Sequence, residues 1–531
     1  MLFSLFIFIS LSAATPQVEL GNSTVIGRSI SELYLEFFGG IPFAEPPIGP
    51  LRLNATVLKT LLPSVVDATN FGKLCMQPGL SRDLVSEDCL TLNIFRPAGL
   101  PLNASLPVLF WTYGGGFTSG GSSQFNASAI VAQSVARGTP IIYVSFNYRL
   151  GPLGFPQGFE ASQRGILNLA LRDQLACLEW VQLFIGAFGG DPSKVTMFGQ
   201  SSGAIMTALL FMGSNNIERF ARAAIFESGS AASAAVFEAA RGESDWQNFV
   251  GGVPSCNVSR TLDCLQTVVD SDEILAGCSA AAAQAQDLFP WIPTLDGPAG
   301  LVRALPSAML ASGSFSRLPF IAGTNMDEGT IFTANYAFDG MIIDQIIVSN
   351  FSPPSTSPSD LQIAAQMIVQ LYPNVTALGS PFNTGNETFG LSPQHKRAAA
   401  IEGDISFQSQ RRLWAQTASA QGIPVFCYLF TEPQTPPSLG VRHGSEVPFV
   451  YGGVGPSDLS KTMIDYWVSF ATSLDPNDGL GAPRPLWTAY TPDNQNLIQL
   501  NAANTTMIPD TYRNGRSCPH LCLDYSQQVR R

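Results

Sequence analysis

The chain has 531 residues, 45% of them hydrophobic and only 13% charged, so it can bury a large core and is too apolar to be a disordered chain. A formal charge of −12, with no Lys/Arg-rich run, removes the electrostatic footprint that a phosphate backbone requires, so no nucleic-acid partner is expected.

Residues 1–14 form an apolar run ending in Ala13-Ala14, the pattern of a secretory signal cleaved after about Ala14. The run is too short to span a bilayer, and nothing later reads as a transmembrane segment, so no stable membrane anchor is expected. A secreted, extracellular protein with one domain over 15–531 follows as the expectation. The Pro-rich stretches Ser352 to Ser359 and Glu432 to Pro437 then read as surface loops. Glycosylation acceptors Asn-x-Ser/Thr stand at Asn22, Asn54, Asn103, Asn126, Asn257, Asn350, Asn374, Asn386 and Asn504, which fits a glycosylating export route. Nine cysteines is an odd number, so at least one thiol stays free or pairs between molecules. Cys177 and Cys427 lie inside apolar runs and are the best free candidates, as small buried side chains. Cys278 has no evident partner, and Cys518 with Cys522 are paired only on proximity.

Short apolar runs at Pro107 to Tyr113, Pro140 to Tyr148, Lys194 to Gly199, Ala221 to Phe226, Leu318 to Gly323 and Ile423 to Phe430 read as buried strands. Between the second and third, Leu171, Leu175, Leu178, Val181 and Ile185 have near-helical spacing within Leu167 to Ala187. The alternation predicts an α/β fold with a mostly parallel sheet.

The first of these strands runs into Gly114-Gly115-Gly116-Phe117, where residues without Cβ let backbone N–H groups approach a substrate oxygen closely. Further on, Gly199-Gln200-Ser201-Ser202-Gly203 follows a strand and opens a helical run from Ala204 to Phe211. A serine on such a strained turn projects its hydroxyl outward, and Ser201 is the candidate nucleophile. That hydroxyl needs a base, and histidine titrates in the useful range. His395, beside Lys396 and Arg397, and His520, between Cys518 and Cys522, read as surface residues; His443 lies in a loop beyond a strand and is the candidate base. Asp327 and Glu328 follow the strand Leu318 to Gly323, and the residues alone do not choose between them as the acid that orients the histidine.

The stretch Phe188-Gly-Gly-Asp-Pro-Ser-Lys-Val-Thr-Met-Phe-Gly-Gln-Ser201-Ser-Gly resembles the serine signature of the type-B carboxylesterase and lipase family, which includes cholinesterases and fungal lipases. Ser86-Glu-Asp-Cys-Leu-Thr-Leu-Asn-Ile94 resembles its second signature. Gly40-Ile-Pro-Phe-Ala-Glu-Pro-Pro47, Asn147-Tyr-Arg-Leu-Gly151 and Asp173-Gln174 also fall where that family has them, so the likeness runs from about Leu20 to the C-terminal cysteines. The resemblance implies an α/β-hydrolase fold with a large, mostly parallel central sheet flanked by helices. It implies a serine carboxylic-ester hydrolase acting on a small-molecule ester through Ser201, Glu328, His443 and an acyl-enzyme, with no cofactor and no metal. By the same resemblance Gly115, Gly116 and Ser202 form the oxyanion hole, Ser228 supports the histidine, and Cys75 with Cys89 and Cys256 with Cys264 form disulfides. Arg52 with Glu87 and Arg149 with Asp173 resemble the family's structural ion pairs.

Two departures bear on function. Gln200 stands where the family usually carries Glu, which removes a charge beside the histidine. The segment between Cys75 and Cys89 contains no aromatic residue, so it lacks the ring face that a quaternary ammonium needs. It is also shorter than the flap of similar lipases. An esterase for soluble or moderately hydrophobic esters is therefore favoured over a lipase or sterol esterase, and over a non-catalytic adhesion or binding homologue of the same fold.

Overall fold

Runs such as Val108-Leu-Phe-Trp111 have no polar face, and each of these side chains is fully buried, which requires cover on both sides of the sheet they enter. The computed structural model describes residues 15–213, 215–258, 260–333, 343 and 357–511. The signal segment 1–14, Asn350, most of the Ser352 to Ser359 stretch, Cys518, His520 and Cys522 lie outside the described residues.

Eleven strands make one sheet. In chain order they are β1 (Arg28–Ile30), β2 (Leu35–Pro42), β3 (Thr91–Pro97), β4 (Leu106–Thr112), β5 (Ile142–Phe146), β6 (Gly190–Gln200), β7 (Ala223–Glu227), β8 (Phe320–Asn325), β9 (Val425–Phe430), β10 (Asn496–Leu500) and β11 (Thr506–Pro509). Across the sheet the order is β11-β10-β9-β8-β7-β6-β4-β5-β3-β2-β1. The middle, from β10 to β5, is parallel, while β11 at one edge and β3, β2 and β1 at the other pair antiparallel. The six predicted strands are all present, each shifted by a few residues at most except β6, which starts four residues earlier. The antiparallel strands β2 and β3 are as long as the central ones but interrupted by polar or charged residues, Glu36 in one and Asn93 and Arg96 in the other, so they do not stand out as apolar runs.

Helices flank the sheet. The predicted Leu167 to Ala187 segment is α1 (Leu169–Phe184), followed by a 3₁₀ turn. From α1, the Gln174 amide donates to Thr112 Oγ1 on β4 and to Thr207 Oγ1 on α2 (Ser202–Phe211), both at 2.9 Å, tying the helix that follows Ser201 to the strand beside it. On the other flank α3 (Pro393–Gly403) runs through a π-helical turn, Asp404–Gln408, into α4 (Ser409–Ala420). The helix α5 (Asp458–Ser473) brings Trp467 beneath β7.

Polar links are buried with their partners. Arg52 and Arg149 are ion-paired with Glu87 at 2.5 Å and Asp173 at 2.7 Å. Removing one partner of such a pair would leave an uncompensated charge and destabilise the fold by about 3–5 kcal/mol. Disulfides join Cys75 to Cys89 and Cys256 to Cys264, and Cys177, Cys278 and Cys427 are buried free thiols. Burial pushes the Cys278 and Cys427 thiols up to about 12.

His395 departs from the sequence expectation: it is buried, 3% exposed, in the first turn of α3. The polar run His395-Lys396-Arg397 reads as a surface because its donors are charged, but backbone carbonyls consume them. The buried Lys396 ammonium donates to Thr384 Oγ1 at 2.7 Å and to the carbonyls of Gly385 at 2.9 Å and Glu387 at 3.2 Å. Arg397 donates to carbonyls at the C-terminal end of the Pro358–Leu371 helix, those of Tyr372 and Val369, each at 2.6 Å.

Candidate active site

Ser201 sits between β6 and α2 with φ 56° and ψ −130°, a conformation that a side chain rarely adopts without being held there. The flanking glycines show what holds it. A Cβ on Gly203 would lie 2.1 Å from the Thr112 carbonyl oxygen, and one on Gly199 would lie 2.8 Å from the same atom. The turn is thus pressed against the end of β4, and only glycine fits at either position. The Ser201 N–H donates to the Glu227 carbonyl at 2.9 Å, which fastens the turn to β7 on the other side.

The end of β8 supplies two neighbouring carboxylates, and the geometry separates them. Glu328 Oε2 lies 2.6 Å from His443 Nδ1, while its Oε1 accepts the Asn325 N–H at 2.6 Å and the Ser228 hydroxyl at 2.7 Å. Asp327 turns away and is satisfied by the Ser380 hydroxyl at 2.7 Å and the N–H groups of Phe382 at 2.8 Å and Val441 at 2.9 Å. Its task is to brace the loop that carries His443. Gly329 packs directly under α3, where a Cβ would meet the Ala399 carbonyl at 2.0 Å, so the acid-bearing turn is clamped between helix and sheet.

The His443 imidazole packs edge-on to Phe332 at 5.0 Å and tilted against Phe407 at 4.7 Å. Its Nε2 accepts from the Gln200 side-chain amide at 3.1 Å. The Glu328 carboxylate can only accept, so Nδ1 carries the proton given to it and Nε2 keeps the lone pair, the tautomer a general base needs. The ring therefore faces the residue adjoining Ser201, and no hydrogen bond joins it to Ser201 Oγ among the described residues.

Two further buried carboxylates were not picked out from the sequence. Glu446 accepts from the Asn325 side-chain amide and lies 3.4 Å from Ser228 Oγ. Burial, reinforced by the charge of Glu328, lifts its carboxyl to about 7. Glu227 accepts from the Trp467 indole at 2.6 Å and is pushed well above the carboxylate range by burial and then by Glu446. The one available signal was position: Glu227 adjoins Ser228, and Glu446 lies three residues after His443.

The loop after β4 contributes Gly115 and Gly116 at φ 115° and 61°. Among the described residues neither N–H donates to a backbone carbonyl, and the Ser202 N–H, at the first position of α2, has no acceptor within its helix. Gly116, Ser202 and Ser201 border a cleft of ≈ 190 Å³ whose walls include Phe117, Phe237, Phe289, Phe332 and Phe407. Phe289 lies so close over Gly116 that a Cβ there would be 2.2 Å from the ring. The π-helical turn that places Phe407 could not be read from apolar spacing. Among the described residues no group of three or more His, Cys, Asp or Glu side chains could hold a metal ion.

The carboxylesterase family model matches residues 14–517. Secreted lipase 1 of Botryotinia fuckeliana is 35% identical over 94% of this chain and 92% of its own length. Lipase 2 of Geotrichum candidum is 32% identical over 94% of each chain. Among solved structures, Aspergillus niger EstA superimposes with a TM-score of 0.81 at 25% identity, covering 97% of this chain and 98% of its own. A PNB esterase gives 0.75 at 29% identity over 94% of this chain and 99% of its own. The expected α/β-hydrolase fold is borne out by these neighbours together with the mostly parallel sheet.

Proposed function

The chain belongs to the carboxylesterase family and is a carboxylic ester hydrolase, and from that premise we propose that it works through Ser201, His443 and Glu328 as a secreted enzyme. The observation that carries the reading is the 2.6 Å contact between Glu328 and His443 Nδ1, on a ring whose other nitrogen faces the Ser201 turn.

Ser201 Oγ attacks the ester carbonyl as His443 Nε2 takes its proton; the alkoxide leaves with that proton, and water activated by the same nitrogen releases the acid. In the free enzyme the Gln200 amide holds the Nε2 lone pair, and substrate exchanges this bond for the Ser201 hydroxyl, as hydrogen bonds in such sites tighten on binding. Negative charge on the substrate oxygen is met by the N–H groups of Gly115, Gly116 and Ser202, each worth about 3–4 kcal/mol in the barrier. Ser228 holds Glu328 from behind.

The relatives above are named lipases, yet an esterase for compact esters fits this chain better. Its Cys75–Cys89 loop is stapled beside the glycine turn: the Gln77 amide donates to the Gly120 carbonyl at 2.8 Å and accepts the Gly120 N–H at 2.9 Å. A pinned loop of this length favours weak interfacial activation. Labelling by a fluorophosphonate and turnover of short-chain esters, both lost in Ser201→Ala, test the assignment; labelling that persists in that variant rejects it.

Export is supported by the apolar segment 1–14 and by relatives named as secreted; among the described residues no helix is long and apolar enough to cross a membrane. Glycans would attach at the exposed acceptors Asn22, Asn103, Asn126, Asn257, Asn374, Asn386 and Asn504, whereas the Asn54 amide is half-buried and donates to the Pro50 carbonyl at 2.6 Å. N-terminal sequencing of protein from culture medium should begin near Thr15; an intact Met1 would contradict export.

A further inference from the structure

The cleft beside Ser201 has an uneven chemistry. Near the nucleophile it is aromatic, with Phe289 over Gly116 and Phe332 and Phe407 against His443. The same cleft is also charged: Arg241, Asp245, Asp287 and Glu402 are its titratable lining residues, three carboxylates against one guanidinium. Arg241 is already engaged, lying 3.9 Å over the Phe237 ring and 3.8 Å from Asp287. The Glu402 carboxylate accepts from the Ser406 hydroxyl at 2.8 Å. Asp245 differs: it is half-buried, and among the described residues its side chain has no hydrogen bond and no ion pair. Burial and the neighbouring Asp287 both raise its carboxyl, the state of an acceptor held partly out of water with nothing to accept from. Such a group at a binding wall is costly unless a ligand satisfies it.

Size narrows the occupant. Small-molecule pockets usually span about 300–1,000 Å³, and an apolar cavity of about 150 Å³ accommodates a benzene ring. At ≈ 190 Å³ this cleft holds roughly one ring with a small substituent, and a long acyl chain would run out of it into solvent. Five phenylalanines supply edges and faces for such a ring.

Resting on the Ser201 reading above, we propose that the cleft is a single-ring specificity pocket. In it the ester's acyl or alcohol portion presents an aromatic ring whose distal hydroxyl donates to Asp245, so that Asp245 selects hydroxyaryl esters over plain aryl, anionic aryl and long-chain aliphatic ones. The surplus of carboxylates repels a substrate carboxylate, and a substrate hydroxyl satisfies Asp245 where a bare ring leaves it unpaired. Asp245 takes no part in bond making; it sets which ester dwells long enough to be attacked.

The test is a ratio of kcat/KM values within one protein, which cancels differences in folding or active fraction. Ethyl benzoate, ethyl 4-hydroxybenzoate, ethyl 4-carboxybenzoate and ethyl decanoate probe the acyl side; benzyl acetate and 4-hydroxybenzyl acetate probe the alcohol side. On at least one side the hydroxyl should raise kcat/KM by about ten-fold or more, the usual effect of one hydrogen bond to a charged group. That ratio should fall towards unity in Asp245→Leu, which keeps the branching and removes the acceptor, while the penalty on the carboxybenzoate shrinks in Asp245→Asn. A decanoate preferred over both benzoates, or a hydroxyl preference unchanged in Asp245→Leu, overturns the pocket while fluorophosphonate labelling of Ser201 persists. Loss of labelling together with all ester turnover overturns the triad and the pocket with it.

Discussion

The two sides of the proposed catalytic centre are built by different means. On the nucleophile side the backbone does the holding: Ser201 is fixed at φ 56° because glycines at 199 and 203 let the turn press against the Thr112 carbonyl. On the acid side a glycine, Gly329, again lets the turn press against its neighbour, but polar and charged side chains share the holding, with Asn325, Ser228 and Glu446 arranged around Glu328. A backbone-coded site tolerates almost no change at its glycines but is indifferent to pH. A site coded by buried carboxyls depends on how protons are distributed among them.

Substitutions can sharpen that contrast. The largest effect should come from Ser201→Ala, leaving a residual rate roughly 10³–10⁴ above the uncatalysed reaction, read as kcat on an activated ester. Next, Glu328→Gln should lower kcat by on the order of 10⁴, as the wrong tautomer does elsewhere, while Asp327→Asn should act mainly on thermal stability. If the aspartate change alone abolishes turnover, the division of labour between these neighbours is reversed. Gln200→Glu should move the acid limb of the pH–rate profile to higher pH, because a carboxylate beside His443 favours the imidazolium that must lose its proton before it can act as base.

The smallest effect concerns stability. Glu446 has a folded carboxyl at about 7 against an ordinary 4.5, so between these values the folded state holds a proton that the unfolded chain has released. Stability contributed by this group therefore declines as pH rises from about 4.5 to about 7 and is level outside that window. Denaturant midpoints across the range should show a shallower decline in Glu446→Gln; equal slopes in both proteins would refute the assignment.

The same contrast explains what could be read in advance. The parallel strands, α1 and the Ser201 turn leave local marks, because apolar runs and Gly-x-Ser-x-Gly are contiguous. The Asp327/Glu328 choice depended on resemblance, since only the three-dimensional path decides which of two adjacent carboxylates meets an imidazole 115 residues away. Glu446, Glu227 and buried His395 and Lys396 were missed for a common reason: charged letters read as solvent-facing, and their burial depends on partners supplied by distant segments. The Phe289, Phe332 and Phe407 wall comes from three separate elements, one of them a π-helical turn that offsets the ordinary helical period.

The buried free cysteines carry a practical consequence. A thiolate is the species that alkylating reagents capture, and Cys177, Cys278 and Cys427 are kept as thiols by the interior around them. Each is therefore silent in the native enzyme and responsive once its own neighbourhood opens. Peptide-resolved alkylation would turn these positions into three clocks, one in α1, one in the Ser271–Gln284 helix and one in β9. Together they would time which part of the molecule comes apart first under heat or solvent.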